Sequence, residues 1–260
     1  MESEKIKIII LAAGLGKRMK SDVPKALAIL KGKPFIRHIL DMIEKLDPKI
    51  KPIIVVGYKK ELIKEALGDK YIYAEQTEQL GTGHAVMSAR HTTGGEDGTV
   101  LVLYTDQPLV SKETLRRILE KHAEKKPAIT LATVSIPDFK DWRAGIYNYG
   151  RIIRQSDGSV RKIVELKEAN EEEKKITELN PGLYAFDAKW LWKNIDKLKN
   201  KNAQKEYYLT DLVMTAYEQN ERIETVPMEN VIEALQPNSK EELETLEKLM
   251  GNGINRSMRV

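Results

Sequence analysis

Two glycines followed by cations stand directly after the first apolar run of the chain. Residues 11–25 read LAAGLGKRMKSDVPK. Gly14 and Gly16 allow backbone N–H groups to approach a ligand closely, Arg18 offers a planar fork of donors, and Lys25 offers a point charge. A polyphosphate fits these features, whereas the simpler interpretation is a tight turn from a strand into a helix.

This segment matches neither of two common phosphate-binding motifs. A P-loop, GxxxxGK[ST], would need glycine at position 11 and serine or threonine at position 18, where leucine and arginine stand. The dinucleotide fingerprint GxGxxG would need a third glycine where Met19 stands. The segment is therefore a phosphate-binding candidate of another type.

Buried strands must position this segment. Continuous apolar runs predict strands at Ile6–Leu11, Pro52–Val56, Tyr71–Ala74 and Val100–Tyr104, and helical spacing predicts helices at Pro34–Leu46, Glu61–Leu67, His84–His91 and from Ser111 onward. Strands that are apolar throughout and alternate with helices indicate an α/β fold with a doubly wound, mostly parallel sheet. Such sheets bind ligands at the carboxyl ends of their strands, so the loops after Leu11, Ala74 and Tyr104 are the expected site.

From about residue 129 the pattern changes to short strands joined by turns. Arg151–Arg154 and Val160–Val164 flank Asp157-Gly158 and predict a hairpin. We expect one domain over residues 1–250, with a small antiparallel lobe at about 129–186 and a tail at 251–260.

Composition narrows the class of protein. Of 260 residues, 41% are hydrophobic, and the formal net charge of +4 does not indicate a nucleic-acid-binding surface but suits an anionic substrate. The absence of cysteine excludes disulfides, thiol nucleophiles and cysteine-ligated metals, and the four histidines, His84 among them, show no metal-ligand spacing. The first apolar run stops at Gly14, too short for a signal or a membrane span, so we expect a cytoplasmic protein with no membrane partner.

At this point the motifs resemble a known family. The first loop with Pro24-Lys25 resembles the signature of the sugar-1-phosphate nucleotidyltransferases. Three later stretches resemble, in the same order, the uridyltransferase domain of the bacterial bifunctional N-acetylglucosamine-1-phosphate uridyltransferases: EQTEQLGTGHA at 75–85, VE at 164–165 with LNPG at 179–182, and EYYLTD at 206–211. The resemblance extends to about Leu249 and implies a Rossmann-like nucleotidyltransferase fold whose antiparallel lobe binds the sugar.

The resemblance also implies which residues bind the nucleotide. It assigns catalysis to Arg18, Lys25 and Asp106, and nucleotide binding to Leu11, Ala12, Ala13, Gly14, Gly16, Gln76, Gly81 and Thr82. A primary amide such as that of Gln76 carries an acceptor and a donor side by side, which complements the N3–H and O4 edge of uracil. The same amide can flip to face cytosine, so Gln76 alone does not establish the base.

The resemblance implies Mg²⁺ as cofactor, held by Asp106 and by Asn238, which falls where the family places its second protein ligand. Asp106 follows a buried strand in a sequence that matches the family's Gly-Asp-x-Pro metal loop, except that Thr105 replaces the glycine. Each residue has a simpler interpretation, because Asp106 could cap the turn toward Ser111 and Asn238 could cap its own helix. Two Mg²⁺ ligands must converge to within roughly 5 Å, which a capping role does not require.

The resemblance assigns the sugar phosphate to Gly150, Glu165, Asn180 and Thr210. Carboxylate and amide groups can hold sugar hydroxyls and an N-acetyl group. Two departures from the family pattern touch this side: an aromatic-rich approach to Gly150 at residues 142–149, and Pro181 in place of a threonine.

The expected reaction is uridylyl transfer from UTP to N-acetylglucosamine 1-phosphate, which gives UDP-N-acetylglucosamine and pyrophosphate. The expected partners are these small-molecule substrates and no nucleic acid. The alternatives are another sugar-1-phosphate uridylyl- or thymidylyltransferase, such as one using glucose 1-phosphate, or a non-catalytic nucleotide-binding subunit. No hexapeptide repeat follows Leu249, so we expect no β-helix acetyltransferase domain and no acetyltransferase activity.

Overall fold

The structure, a computed structural model, describes residues 5–14, 16 and 23–251. The predicted tail at 251–260 lies outside this range, apart from Gly251. Among the residues described, no helix has both the length and the apolar character that crossing a membrane requires.

The N-terminal half of the chain forms a parallel sheet. Its strands are β1 (Ile6–Leu11), β4 (Ile53–Val56), β5 (Ile72–Glu75) and β6 (Thr99–Tyr104), and they lie side by side in the order β5-β4-β1-β6. All three pairings are parallel, and β1 runs in register with β6 from Ile6 opposite Thr99 to Leu11 opposite Tyr104. The carboxyl ends of β1 and β6 therefore meet at one edge.

Within the described ranges, seven α-helices flank the strands: α1 (Phe35–Leu46), α2 (Lys60–Leu67), α3 (Thr82–Ser88), α4 (Lys112–Lys125), α5 (Ala188–Asn194), α6 (Asp211–Glu218) and α7 (Lys240–Gly251). Alternate residues of β1 enter two different core clusters, Ile8 and Ile10 on one face of the sheet and Ile9 and Leu11 on the other. Because both faces are covered, the buried positions 8–11 of the strand are all apolar, and the one charged residue, Lys7, lies near its start. Ser111 accepts a hydrogen bond from the Thr114 N–H at 3.1 Å and is the N-cap of α4, as predicted.

The sheet continues beyond β6 through strands that run mostly antiparallel. They are β7 (Ile129–Ser135), β8 (Gly150–Arg154), β9 (Val160–Val164), β10 (Glu178–Asn180) and β11 (Tyr184–Asp187), in the order β6-β11-β7-β10-β8-β9. The predicted hairpin is present as β8 and β9. The antiparallel lobe is thus an extension of the main sheet through β7 and not a separate sheet, and the fold is α/β as predicted.

Three of the described strands lie outside both the predicted strands and the predicted lobe. β12 (Ile223–Pro227) pairs in parallel with β7, and β2 (Ile29–Leu30) with β3 (Lys33–Pro34) forms a small hairpin ahead of α1. The helix predicted at His84–His91 begins two residues earlier, at Thr82, so residues 81–84 form its N-terminus and lie beside the end of β5.

Candidate active site

Two adjoining clefts open at the carboxyl ends of the strands. The loop cleft has a volume of about 280 Å³ and is lined by residues of the first loop, β6 and α3, among them Leu11, Ala12, Ala13, Gly14, Lys25, Gln76, Gly81, Thr82 and Asp106. The lobe cleft has a volume of about 240 Å³ and is lined by Gly150, Glu165, Asn180 and Thr210 together with neighbouring residues. The two clefts share Thr82, Tyr104 and Glu206 as walls, so they form one site with two halves.

Lys25 links the two predicted metal ligands. Its Nζ donates to Asp106 Oδ2 at 2.6 Å and to Asn238 Oδ1 at 2.6 Å. Two oxygens at that distance from one nitrogen lie within about 5 Å of each other, so Asp106 and Asn238 converge across the sequence as a shared metal requires. The Lys25 side chain is 10% exposed and that of Asp106 is 21% exposed, which places this ion pair largely out of water.

A different residue caps the helix that follows Asn238. Ser239 Oγ accepts a hydrogen bond from the Glu242 N–H at 3.2 Å, which satisfies the first turn of α7. The Asn238 amide turns away from that helix, since its Nδ2 donates to the Gln236 carbonyl at 2.7 Å and its Oδ1 faces Lys25. The capping interpretation of Asn238 is therefore wrong.

The Asp106 carboxylate can accept a further hydrogen bond or bind a cation. Its Oδ1 is buried and has no hydrogen-bond partner within the described part of the chain. Asp106 does not cap the α4 helix, because Ser111 does so. No cluster of three or more His, Asp or Glu side chains suited to a metal occurs in residues 5–14, 16 and 23–251, so a metal here would have Asp106 and the neutral Asn238 as its protein ligands.

Thr105 joins the loop that carries Asp106 to the first loop by hydrogen bonds. Both its N–H and its Oγ1 donate to the Leu11 carbonyl, at 3.2 and 3.0 Å, and its side chain is buried. A glycine at this position would keep only the backbone bond. The departure from the family pattern therefore adds a tie between the ends of β1 and β6, without displacing Asp106 from the loop cleft.

The Gln76 amide is buried at the base of the loop cleft. Its Nε2 donates to the Gly81 carbonyl at 3.0 Å and lies 3.2 Å from His84 Nδ1. Gly81 has φ of 102°, and a Cβ there would stand 2.8 Å from the Tyr207 carbonyl oxygen. A glycine is thus needed both for the backbone conformation and for the close approach to residue 207.

A carboxylate and two polar side chains form the lobe cleft. The Thr210 hydroxyl donates to Glu165 Oε1 at 3.0 Å, and burial raises the pKa of the Glu165 carboxyl above its usual range. Asn180 donates from Nδ2 to the Tyr184 hydroxyl at 2.6 Å and accepts at Oδ1 from the Gly182 N–H at 3.1 Å. Each amide end keeps one further donor or acceptor position for a ligand.

The two departures on the sugar side have structural explanations. The Pro181 carbonyl accepts a hydrogen bond from Gln236 Nε2 at 2.6 Å, so this turn is held by the segment that leads to Asn238. The aromatic-rich segment encloses Arg151, whose guanidinium is fully buried and lies 5.0 Å from the ring centres of both Phe139 and Tyr147. Desolvation lowers the pKa of Arg151, while the ring faces and the carbonyls of residues 147 and 174 support its charge.

Most of the predicted site residues come together. Gly16 packs against Lys25, because a Cβ on Gly16 would stand 2.9 Å from Lys25 Cβ, but it does not line either cleft. Arg18 lies outside the described residues. Sequence analysis assigned no role to Tyr104, Glu206 or Gln236, which line one or both clefts. The end of a predicted strand could have pointed to Tyr104, and the EYYLTD stretch could have pointed to Glu206.

The chain is similar in sequence to a family of NTP transferase domains and to several curated proteins. A family model described as "MobA-like NTP transferase domain" matches residues 8–179. The chain is 40% identical over 247 residues to a "Bifunctional protein GlmU" of Enterococcus faecalis and 41% identical over 251 residues to one of Clostridioides difficile. These matches cover 95% and 96% of this chain but 52% and 53% of the relatives, so the chain spans about half their length.

Solved structures agree on the fold. A UDP-glucose pyrophosphorylase complexed with UDP-glucose superposes with a TM-score of 0.72 at 17% identity, covering 95% of this chain and 98% of the other. A putative glucose-1-phosphate thymidylyltransferase from Bacillus anthracis superposes with a TM-score of 0.71 at 18% identity, covering 94% and 95%. With the family model matched over most of the chain, the family-level prediction is confirmed, and the protein belongs to the MobA-like NTP transferase domain family.

Proposed function

We propose that this chain transfers the uridylyl group of UTP to N-acetylglucosamine 1-phosphate, giving UDP-N-acetylglucosamine and pyrophosphate. The observation that carries the proposal is the pair of clefts that share the walls Thr82, Tyr104 and Glu206. One half presents a lysine, a carboxylate and a buried amide, which suit a nucleotide, and the other presents groups that suit a sugar. The bifunctional GlmU relatives at about 40% identity support the same assignment.

The reaction is an in-line displacement at the α-phosphorus of the nucleotide. An oxygen of the sugar phosphate forms a bond to that phosphorus, and the bond from the phosphorus to the bridging oxygen of the β-phosphate breaks with its electron pair. The attacking oxygen is already anionic at neutral pH, so no general base is needed. The barrier arises from bringing two anions together and from charge that develops on the leaving pyrophosphate.

In the described part of the site, Lys25 is the cation that can stabilise the negative charge on the leaving pyrophosphate. Its Nζ donates to Asp106 and Asn238, and Lys25 lines the loop cleft together with residues 11–14, along which we place the phosphates. The space beside Gly14 is open with respect to the described residues, because a Cβ on Gly14 would meet none of their atoms within 4 Å. Arg18 and the amides of Gly14 and Gly16 are proposed to share the phosphate contacts.

Nucleotidyltransferases of this family generally use divalent metal ions, and we propose Mg²⁺ here. Asp106 and Asn238 would hold it, since their oxygens converge and the buried Asp106 Oδ1 has no other partner among the described residues. When bound, Mg²⁺ draws phosphate oxygens together and offsets their charge.

A panel of substrates tests the proposal. Pyrophosphate release is measured with UTP, CTP, dTTP and GTP against N-acetylglucosamine 1-phosphate, glucose 1-phosphate and galactose 1-phosphate, with and without Mg²⁺. We expect the highest kcat/KM for UTP with N-acetylglucosamine 1-phosphate. Higher turnover with glucose 1-phosphate or dTTP would assign another sugar nucleotidyltransferase, and no turnover of any pair would favour a non-catalytic nucleotide-binding subunit. The cytoplasmic location stays a prediction from the sequence.

A further inference from the structure

The orientation of the Gln76 amide is fixed by two acceptors. Its Nε2 donates to the Gly81 carbonyl at 3.0 Å and has His84 Nδ1 at 3.2 Å. A backbone carbonyl can only accept, so a flipped amide would bring two oxygens together at Gly81. His84 Nδ1 must then be the acceptor of the second amide hydrogen, which places the ring proton of a neutral imidazole on Nε2.

Both amide hydrogens are thus engaged within the protein. No described residue donates a hydrogen bond to Gln76 Oε1, although Gln76 as a whole is only 4% exposed. The carbonyl oxygen is therefore the one group that Gln76 can still offer to a ligand in the loop cleft. Uracil presents an N3–H donor to such an oxygen, whereas cytosine presents an unprotonated N3, whose lone pair would face the Oε1 lone pairs.

Backbone hydrogen bonds fix the start of the helix that carries His84. It lies in the first turn of α3, and the start of that helix is joined to the segment at Tyr207 by two backbone hydrogen bonds, from the Gly83 N–H to the Tyr207 carbonyl at 2.8 Å and from the Tyr207 N–H to the Leu80 carbonyl at 2.7 Å. Its ring is half-buried, with its centre 6.4 Å from that of Tyr207. The backbone that carries the His84 ring is therefore tied to the segment at residue 207.

We infer that His84 is a positioning residue for base selection, which holds the second amide hydrogen of Gln76 away from the base and so disfavours cytosine nucleotides. Without that acceptor, the hydrogen is released to the cleft, and Gln76 can donate to the N3 of cytosine as well as accept from the N3–H of uracil. The inference rests on the proposed use of UTP and names the residue that makes this choice.

Two substitutions of equal shape isolate the acceptor. Asn and Leu branch alike at Cγ, but His84→Asn places an oxygen close to the position of Nδ1, whereas His84→Leu places a methyl group there. His91→Leu is the matched control, because His91 is exposed and lines neither cleft. For each variant, kcat/KM is measured with UTP and CTP, and the binding of both nucleotides is measured by calorimetry without any sugar phosphate.

We expect His84→Leu to lower the UTP-to-CTP ratio by about three- to tenfold, the effect of one hydrogen bond, with His84→Asn and His91→Leu within about twofold of the parent protein. An unchanged ratio in His84→Leu, equal losses in the Leu and Asn variants, or a parent protein that binds UTP and CTP alike would each overturn the inference. The binding measurement separates the two proposals. If UTP is preferred but no sugar phosphate releases pyrophosphate, the proposed function fails while the role of His84 is still decided.

Discussion

The ion pair between Lys25 and Asp106 gives the most quantitative test of the site. Lys25→Met removes the ammonium from a carboxylate that is 21% exposed and whose Oδ1 already has no partner among the described residues. Fully exposed pairs contribute about 0.2–1 kcal/mol, and breaking a fully buried pair costs about 3–5 kcal/mol. For a pair of intermediate burial, we expect Lys25→Met to lower the free energy of unfolding by about 2 kcal/mol, or the Tm by roughly 4–8 °C.

A double-mutant cycle separates the pair from the loss of the lysine itself. Asp106→Asn in the Lys25→Met background removes the uncompensated charge, so the double variant should recover about 1–2 kcal/mol relative to the sum of the single losses. Unfolding in urea measures each stability. The matched control is Lys33→Met, which breaks the exposed pair of Lys33 with Asp41 and should cost at most about 0.5 kcal/mol.

Activity adds an independent readout to the same variants. Lys25→Met should lower kcat for pyrophosphate release by about 10²–10³, since it removes a positioned cation from the developing charge. Additive stabilities in the cycle, within about 0.3 kcal/mol, would refute the reasoning that Asp106 positions Lys25. Full activity of Lys25→Met would refute its catalytic role, whatever the stabilities show.

Three further predictions concern the rest of the site. Gln76→Ala should raise the KM for UTP with a loss of about 1–3 kcal/mol in kcat/KM, since it removes a buried polar contact to the base; an effect on the sugar phosphate alone would contradict this assignment. Asn238→Ala should abolish Mg²⁺-dependent turnover, whereas Ser239→Ala should keep it and lose about 1 kcal/mol of stability with the helix cap; equal activities would remove Asn238 as a metal ligand. Burial raises the pKa of Glu165, so the folded state binds its proton more tightly than the unfolded state and loses stability as the pH rises from the unfolded pKa through the folded one. Glu165→Gln should therefore be more stable than the parent protein at pH 7 but not at about pH 3.5, and its KM for the sugar phosphate should rise; equal urea stability at both pH values would contradict the burial argument.

The parallel half of the fold was predictable because its signal is local. β1 occupies Ile6–Leu11, the predicted span, since burial on both faces makes residues 8–11 apolar in sequence. The pairing of the strands around β7 carries no such local signal. Residues 178–180, 184–187 and 223–227 all pair with β7, and β12 pairs with it although about 90 residues lie between them. Periodicity in a short strand does not identify a distant partner.

The candidate site likewise combines residues that the local sequence indicates with contacts that only the fold creates. Lys25 and Asp106 were predictable as charged residues that follow strands. The contact from Lys25 to Asn238 was not, because it spans 213 positions in sequence and exists only through the fold. The sequence gives His84 no metal-ligand spacing, and a histidine of that kind is more often a surface or capping residue than a ligand. Its contact with Gln76, eight residues earlier, follows from the turn at Gly81 that brings the start of α3 back to the end of β5.

The two clefts adjoin because the sheet changes direction between β6 and β11. Tyr104 ends β6, the last strand of the parallel half, and its ring forms a wall of both clefts. On the antiparallel side the chain approaches that ring at Gly182, where φ is 91° and a Cβ would stand 3.1 Å from a ring carbon. Only a residue without a side chain lets the Asn180 turn lie this close to Tyr104. The change of strand direction thus places a turn of the lobe directly beside the end of a parallel strand, and a group bound in one cleft can reach a group bound in the other.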